Sequence, residues 1–128
     1  MAVTRQVGSQ TDAKPSNSDL TGKEFRFAKR VNAGGEARFD LCGAGQQMAG
    51  VISEGKPVGQ HTSVDTGNQL KVEASAAIAP ATKIASTADG RAKAAAAGEI
   101  IAGESINGTA AAGELLEIDM TKTGNAAA

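Results

Sequence analysis

Tryptophan and tyrosine are absent from this 128-residue chain, and three phenylalanines are all its aromatic side chains. A carbohydrate site built on stacked aromatic platforms is therefore short of material. The single cysteine, Cys42, excludes an internal disulfide framework and fits a reducing compartment. One histidine, His61, and one cysteine far from it cannot make the usual zinc sets. The acidic residues lack the spacing of a calcium loop. No apolar run approaches the roughly 20 residues of a membrane-spanning helix. The first residues have no apolar export core, so the expectation is synthesis in a cytosol with no membrane partner. Acids and bases mix along the chain to a formal net charge of −1, which leaves no basic stripe for nucleic acid.

What the chain does have is alanine and glycine, together about a third of its residues. A core of Ala, Val, Ile and a few Leu buries little area per residue, at roughly 25 cal/mol per Å². Such a chain gains stability from a partner or from self-assembly.

Periodicity predicts strands. Lys23 to Val31 alternates apolar and charged residues, Asn32-Ala33-Gly34-Gly35 is a turn, and Ala37 to Leu41 alternates again. This reads as a hairpin whose inner face carries Phe25, Phe27, Phe39 and Leu41. Gln47 to Glu54 is a strand with a glycine inside it, the sign of a bulge or a close backbone approach. Gln60 to Val64 and Gln69 to Ala74 flank Asp65-Thr66-Gly67-Asn68 as a second hairpin, with Leu70 and Val72 facing inward. Lys83 to Thr87 and Arg91 to Ala94 flank the Asp89-Gly90 turn. Ala94 to Ala97 allows one helical turn at most, because Gly98 ends it. Glu99 to Ile106 and Glu114 to Thr121 close the fold, with Leu116, Ile118 and Met120 on its dry face. The expected architecture is all-β: a small antiparallel sandwich or barrel of about eight to ten short strands. Residues 21–122 form this β-domain. Residues 1–20 are too polar to bury themselves and read either as a frayed end or as an extended arm that pairs with another chain's sheet edge. Residues 123–128 have nothing to pack.

No catalytic constellation emerges. His61, Ser63 and Asp65 lie on one face of one strand, whereas a hydrolytic triad needs its base between groups from different elements. Gly43, Gly45 and Gly50 sit in a run without the Lys-Ser/Thr of a phosphate loop, and read as turn and bulge residues. Cys42 reads as a small buried side chain. The pattern is that of a structural or binding module with no cofactor.

From Gln47 to Met120 the chain resembles the capsid decoration (head cement) proteins of tailed phages. The passage A-D-G-R-A-K-A-A-A-A-G-E-I-I-A-G-E-S-I-N-G-T-A-A-A-G-E-L-L-E-I-D-M carries the likeness, together with V-G-Q-H-T-S-V-D-T-G-N-Q-L-K-V-E-A-S-A-A-I-A. The resemblance implies a β-domain on the outer capsid surface of a virion, made in the host bacterial cytoplasm. Its implied partners are the major capsid protein and further copies of itself, as a homotrimer or a dimer. It also implies an N-terminal arm that grips the capsid, for which Val3, Arg5 and Val7 are the candidate contacts. Other structural virion β-proteins (tail, fibre or head-completion components) and an adhesin-like carbohydrate-binding module are the alternatives.

Overall fold

The computed structural model describes residues 10–121, which form ten strands and no helix. The strands are β1 (Gln10–Pro15), β2 (Phe27–Ala33), β3 (Glu36–Leu41), β4 (Gly50–Glu54), β5 (His61–Thr66), β6 (Leu70–Glu73), β7 (Lys83–Ser86), β8 (Ala92–Ala94), β9 (Gly103–Ser105) and β10 (Leu115–Asp119). Two five-stranded sheets result, in the orders β1-β5-β4-β2-β3 and β6-β10-β9-β7-β8, with every ladder antiparallel. They pack as the sandwich that the alternating runs predict.

Each sheet curls until its two edge strands touch. Ser16, just past β1, bridges Phe39 of β3, and Ala74, just past β6, bridges Ala92 of β8. Inside the first curl lie Leu20, Ala28, Phe39, Ala49, Ile52 and Val64, with half-buried Leu41 against them. The second curl buries Leu70, Val72, Ile84, Leu116 and Ile118. Its cluster continues across the sandwich to Phe27, Cys42, Met48 and Val51 of the first sheet. Met120 is buried at the end of β10.

The register of β2 on β3 separates the phenylalanines. Arg30 stands opposite Phe39, and Ala28 opposite Leu41. Opposed residues share a face, so Phe39 and Leu41 point with Ala28 and away from Phe27. The expectation of one aromatic heart is corrected by this one-residue shift. Phe27 and Phe39 are both fully buried, but in different clusters. Phe25 is not a core residue: it is 42% exposed. Its φ of 65° breaks the extended alternation before β2 begins.

The segments around Asp65-Asn68 do not form a hairpin. Both sides of β5 are already occupied, by β1 and β4, so β6 has no edge to pair with and opens the second sheet instead. Residues 10–20, expected to belong to the arm, are here part of the domain. β1 runs along β5 with Gln10 opposite Thr66 and Pro15 opposite His61, and Ser16 and Leu20 are buried. Val3, Arg5 and Val7, and residues 123–128, lie outside the described residues.

The two sheets are one motif used twice. Substituting β6 to β10 in order for β1 to β5 converts the first strand order into the second. The registers coincide too. Ala28 faces Leu41 and Gly50, and Ile84 faces Ala94 and Gly103. Val64 faces Asp12 and Ile52, and Ile118 faces Leu70 and Ser105. Among the described residues, the non-glycine positions with left-handed backbone are Phe25 (φ 65°) and Ala81 (φ 59°). They hold equal places: their N–H groups donate to the carbonyls of Ile52 and Ser105. Gly50 and Gly103 are equivalent as well. A β-carbon there would lie 2.4 Å from the Asp65 carbonyl oxygen in one repeat and 2.1 Å from that of Asp119 in the other. The first repeat spans residues 10–67 and the second 70–121.

Candidate interaction surfaces

The groups with chemical potential are dispersed. His61 is exposed at the start of β5; Ser63 and Asp65 lie further along the same half-exposed face, and Asp65 accepts a hydrogen bond from the Thr11 hydroxyl at 2.7 Å. That places the three as a strand face beside β1, with no second element bringing a base to a nucleophile. Cys42 is fully buried, and burial pushes its thiol above the ordinary range despite the Ser86 hydroxyl nearby. A buried thiol held protonated is inert. Among the described residues no group of three or more His, Cys, Asp or Glu could hold a metal ion.

Exposed apolar side chains give a clearer signal. Phe25, Ile106 and Leu115, each between 42% and 45% exposed, fall on neighbouring backbone. The Phe25 carbonyl accepts from the Glu73 N–H at 2.8 Å, Glu73 stands opposite Leu115 across β6 and β10, and the Ile106 N–H donates to the Glu117 carbonyl on the same β10. Leu115 and Glu117 share the outward face of β10, because Leu116 and Ile118 take the inward one. The strip therefore mixes large apolar groups with Lys71, Glu73 and Glu117, a composition suited to a contact with protein. The fourth exposed apolar residue, Val58 at 58%, stands on the β4–β5 loop next to Ser16.

A charged lattice fixes the two repeats beside this strip. Arg26 donates to the Asp89 carbonyl at 2.9 Å, and its guanidinium lies 3.6 Å from the Glu73 carboxylate and 3.8 Å from that of Asp89. Arg91 completes the set, 3.7 Å from Glu73 and 3.1 Å from Asp89. The Thr87 hydroxyl and then the two arginines hold the Asp89 carboxyl below its ordinary range.

Arg30 is exposed on β2 and lines two adjoining grooves. One, of about 370 Å³, is shared with Lys29, Gln46 and Met48; the other, of about 310 Å³, with Gln10, Asp12, Phe39 and Thr66. Ala49 and Val64 of the first cluster also line the second groove; of its walls, Phe39 has the Lys14 ammonium 5.8 Å from its ring centre and Asp12 has it at 3.0 Å.

Periodicity could not assemble the apolar strip, because its members come from three segments joined by pairings across the sandwich. The duplication did leave a trace in the sequence. Gly45, Gly50, Gly55 and Gly59 recur as Gly98, Gly103, Gly108 and Gly113, at nearly the same spacing.

No known protein family matches the chain, and no curated protein matches it by sequence. A likeness exists among solved structures. The crystal structure of the head fiber gp8.5 N base of bacteriophage phi29 is similar, with a TM-score of 0.73 over 91% of this chain and 98% of that one, at 12% identity. The likeness is one of fold.

Proposed function

We propose that the chain is a structural protein of a tailed-phage head, seated on the outer surface of the capsid in the manner of a fibre base. The observation that carries this reading is the fold match to the phi29 head-fibre base, which takes in nearly the whole of both chains. The resemblance of residues 47–120 to capsid decoration proteins points to the same location on a virion. Of the two, the fibre-base reading takes precedence over a pure cement role, because its match includes the first repeat as well.

In this role the protein does no chemistry and needs no cofactor. It binds the assembled lattice better than free subunits and so stabilises the assembled state. Its partners are the major capsid protein and other copies of itself, as a homotrimer. Several modest contacts suffice when one assembly touches several capsid subunits, since each later contact forms at high effective concentration. The candidate contacts are Val3, Arg5 and Val7 ahead of β1, and the strip of Phe25, Ile106 and Leu115.

The test is co-sedimentation of the purified protein with expanded heads of the phage that encodes it. Saturable binding to heads, and none to free capsid subunits, is expected; absence of binding to heads overturns the reading. Removing residues 1–9 leaves every described strand in place and is expected to lower head occupancy at least about tenfold, the loss of one or two apolar contacts. Unchanged occupancy removes Val3, Arg5 and Val7 from the contact and leaves the strip.

A further inference from the structure

The two sides of β2 are used unequally. Against β3 it is paired from Ala28 to Ala33, but against β4 only at Phe27 and Ala28. The Ala28 carbonyl accepts from the Ala49 N–H at 2.6 Å on the β4 side, and the Phe27 carbonyl accepts from the Cys42 N–H at 2.9 Å on the β3 side. Backbone groups alternate sides along a strand, so those of Arg30 and Asn32 point the way of Ala28. Among the described residues they meet no backbone partner there, and both residues are exposed. The hairpin of β2 and β3 thus overhangs β4 and leaves an open strand edge, with N–H and carbonyl groups ready for another strand.

The second repeat has the same position filled. Ser86 stands there where Arg30 stands in the first repeat; it is buried, and its carbonyl accepts from the Gly45 N–H at 3.0 Å. The motif therefore accommodates a backbone partner at this place.

The groove along the open edge, of about 370 Å³, indicates what fits it. Lys29, Arg30, Val31 and residues 46–49 line it, a set with two cations and no carboxylate. The Lys29 ammonium donates to the neutral Gln46 side chain at 3.0 Å. The acids nearby are engaged elsewhere: Asp40, opposite Lys29, accepts from Ser18 and Asn17, and Asp12, in the adjoining groove, pairs with Lys14. Half-buried Val31 and buried Met48 add apolar surface, with Val31 on the face of β2 opposite Arg30.

We infer that the open edge of β2 receives an extended acidic segment of another protein as an added strand. Its backbone pairs with Arg30 and Asn32, its apolar side chains cover Val31 and Met48, and its carboxylates meet Lys29 and Arg30. Charge selects this occupant. The first nine residues of the chain carry Arg5 and no acid, and a second copy joined edge to edge would bring two Lys29–Arg30 pairs to one seam.

The probe is a blocked heptapeptide of alternating glutamate and valine, titrated into the intact protein, with lysine in place of glutamate as the control. The acidic peptide is expected to bind saturably below millimolar concentration. It should slow hydrogen exchange at the Arg30 and Asn32 N–H groups at least about fivefold and leave those of Lys29 and Val31, already paired with β3, unchanged. The lysine peptide should leave all of them unchanged. Arg30→Gln keeps the N–H and is expected to weaken binding about two- to fivefold; Arg30→Pro removes it and is expected to weaken binding at least about threefold further. The exchange pattern needs no variant, so it decides the matter where Arg30→Pro does not fold. No saturable binding of the acidic peptide at millimolar concentration, equal binding of the lysine peptide, or equal affinity of Arg30→Gln and Arg30→Pro overturns the inference. So does binding that appears only once residues 1–9 are removed, which assigns the edge to the chain's own N-terminal residues. Slowing of the same N–H groups by protein concentration alone assigns it to a second copy and overturns the inference too. No heads enter this assay, so its outcome is separate from that of co-sedimentation.

Discussion

Gly50 and Gly103 show how far two backbones can approach when one residue has no side chain. A methyl group at Gly103 would sit 2.1 Å from the Asp119 carbonyl oxygen, and the obstacle is backbone that cannot rotate away. Gly103→Ala is expected to destabilise the fold by about 1–3 kcal/mol in a urea titration, through forced separation of β9 from β10. Ala81 presents the opposite case. At φ 59° it holds a left-handed conformation that costs an alanine roughly 1 kcal/mol, and it is exposed, so Ala81→Gly is expected to raise stability by about 0.5–1 kcal/mol in the same titration. Its counterpart Phe25 explains why residue patterns misplaced a core position. Phe25 and Phe27 alternate on paper, but the alternation rule presumes extended backbone, and a left-handed residue interrupts it.

At the scale of elements, the runs of alternating residues located most of the strands, and β3, β7, β8 and β10 lie inside or close to the segments they mark. Pairing was less legible. A sequence shows which side chains want to be buried, but not which of two neighbouring strands already has both edges filled, and that decided the fate of the Asp65-Asn68 crossing. β1 was hidden for a related reason. Its residues are mostly exposed, so it leaves no hydrophobic signature, and it is held instead by its ladder to β5 and by the polar anchors of residues 16–18. Ser16 and Thr62 share a buried hydroxyl pair at 2.6 Å, and Asp40 of β3 accepts from Ser18 at 2.5 Å and from Asn17 at 3.0 Å. Burial alone would raise the Asp40 carboxyl, but the hydrogen bonds from Ser18 and Asn17 outweigh it and leave it below the ordinary range. A carboxyl depressed in the folded state adds stability above the ordinary carboxylate range, and that share is lost as pH falls through about 4 toward the folded value. Acidification should therefore loosen residues 16–18 from β3 before the sheet melts. The expected outcome is hydrogen exchange at the Asn17 N–H, which donates to the Phe39 carbonyl, that speeds up on acidification relative to the Ala49 N–H, with that pH dependence removed in Asp40→Asn.

For the whole molecule, the duplication sets the energetics. Each curl has its own filling, but the second cluster runs through to Phe27, Cys42, Met48 and Val51, so the repeats are not independent folding units. Arg26 reinforces that continuity, being the first-repeat residue that reaches Glu73 and Asp89. Arg26→Met keeps most of the side-chain volume and removes the charge-assisted bonds. It is expected to cost about 1–3 kcal/mol while unfolding remains a single transition by circular dichroism and calorimetry. The twofold repetition was recorded in the sequence by its glycines, yet glycine is too common here to make four recurrences conspicuous, and the side chains between them have diverged from Phe27 and Val51 to Lys83 and Glu104.

One bond at the junction of the repeats has a geometric consequence. The Met120 N–H donates to the Gly67 carbonyl at 3.0 Å, and Gln10 stands opposite Thr66. The beginning of β1, the close of β10 and the crossing between the sheets therefore gather at one pole. A chain reopened at Asn68, with residue 121 linked to residue 10, would be a circular permutant that reads the second repeat first and keeps every strand partner. Gln10 and Met120 therefore stand on the same side of the domain, at the pole where the chain crosses from one sheet to the other.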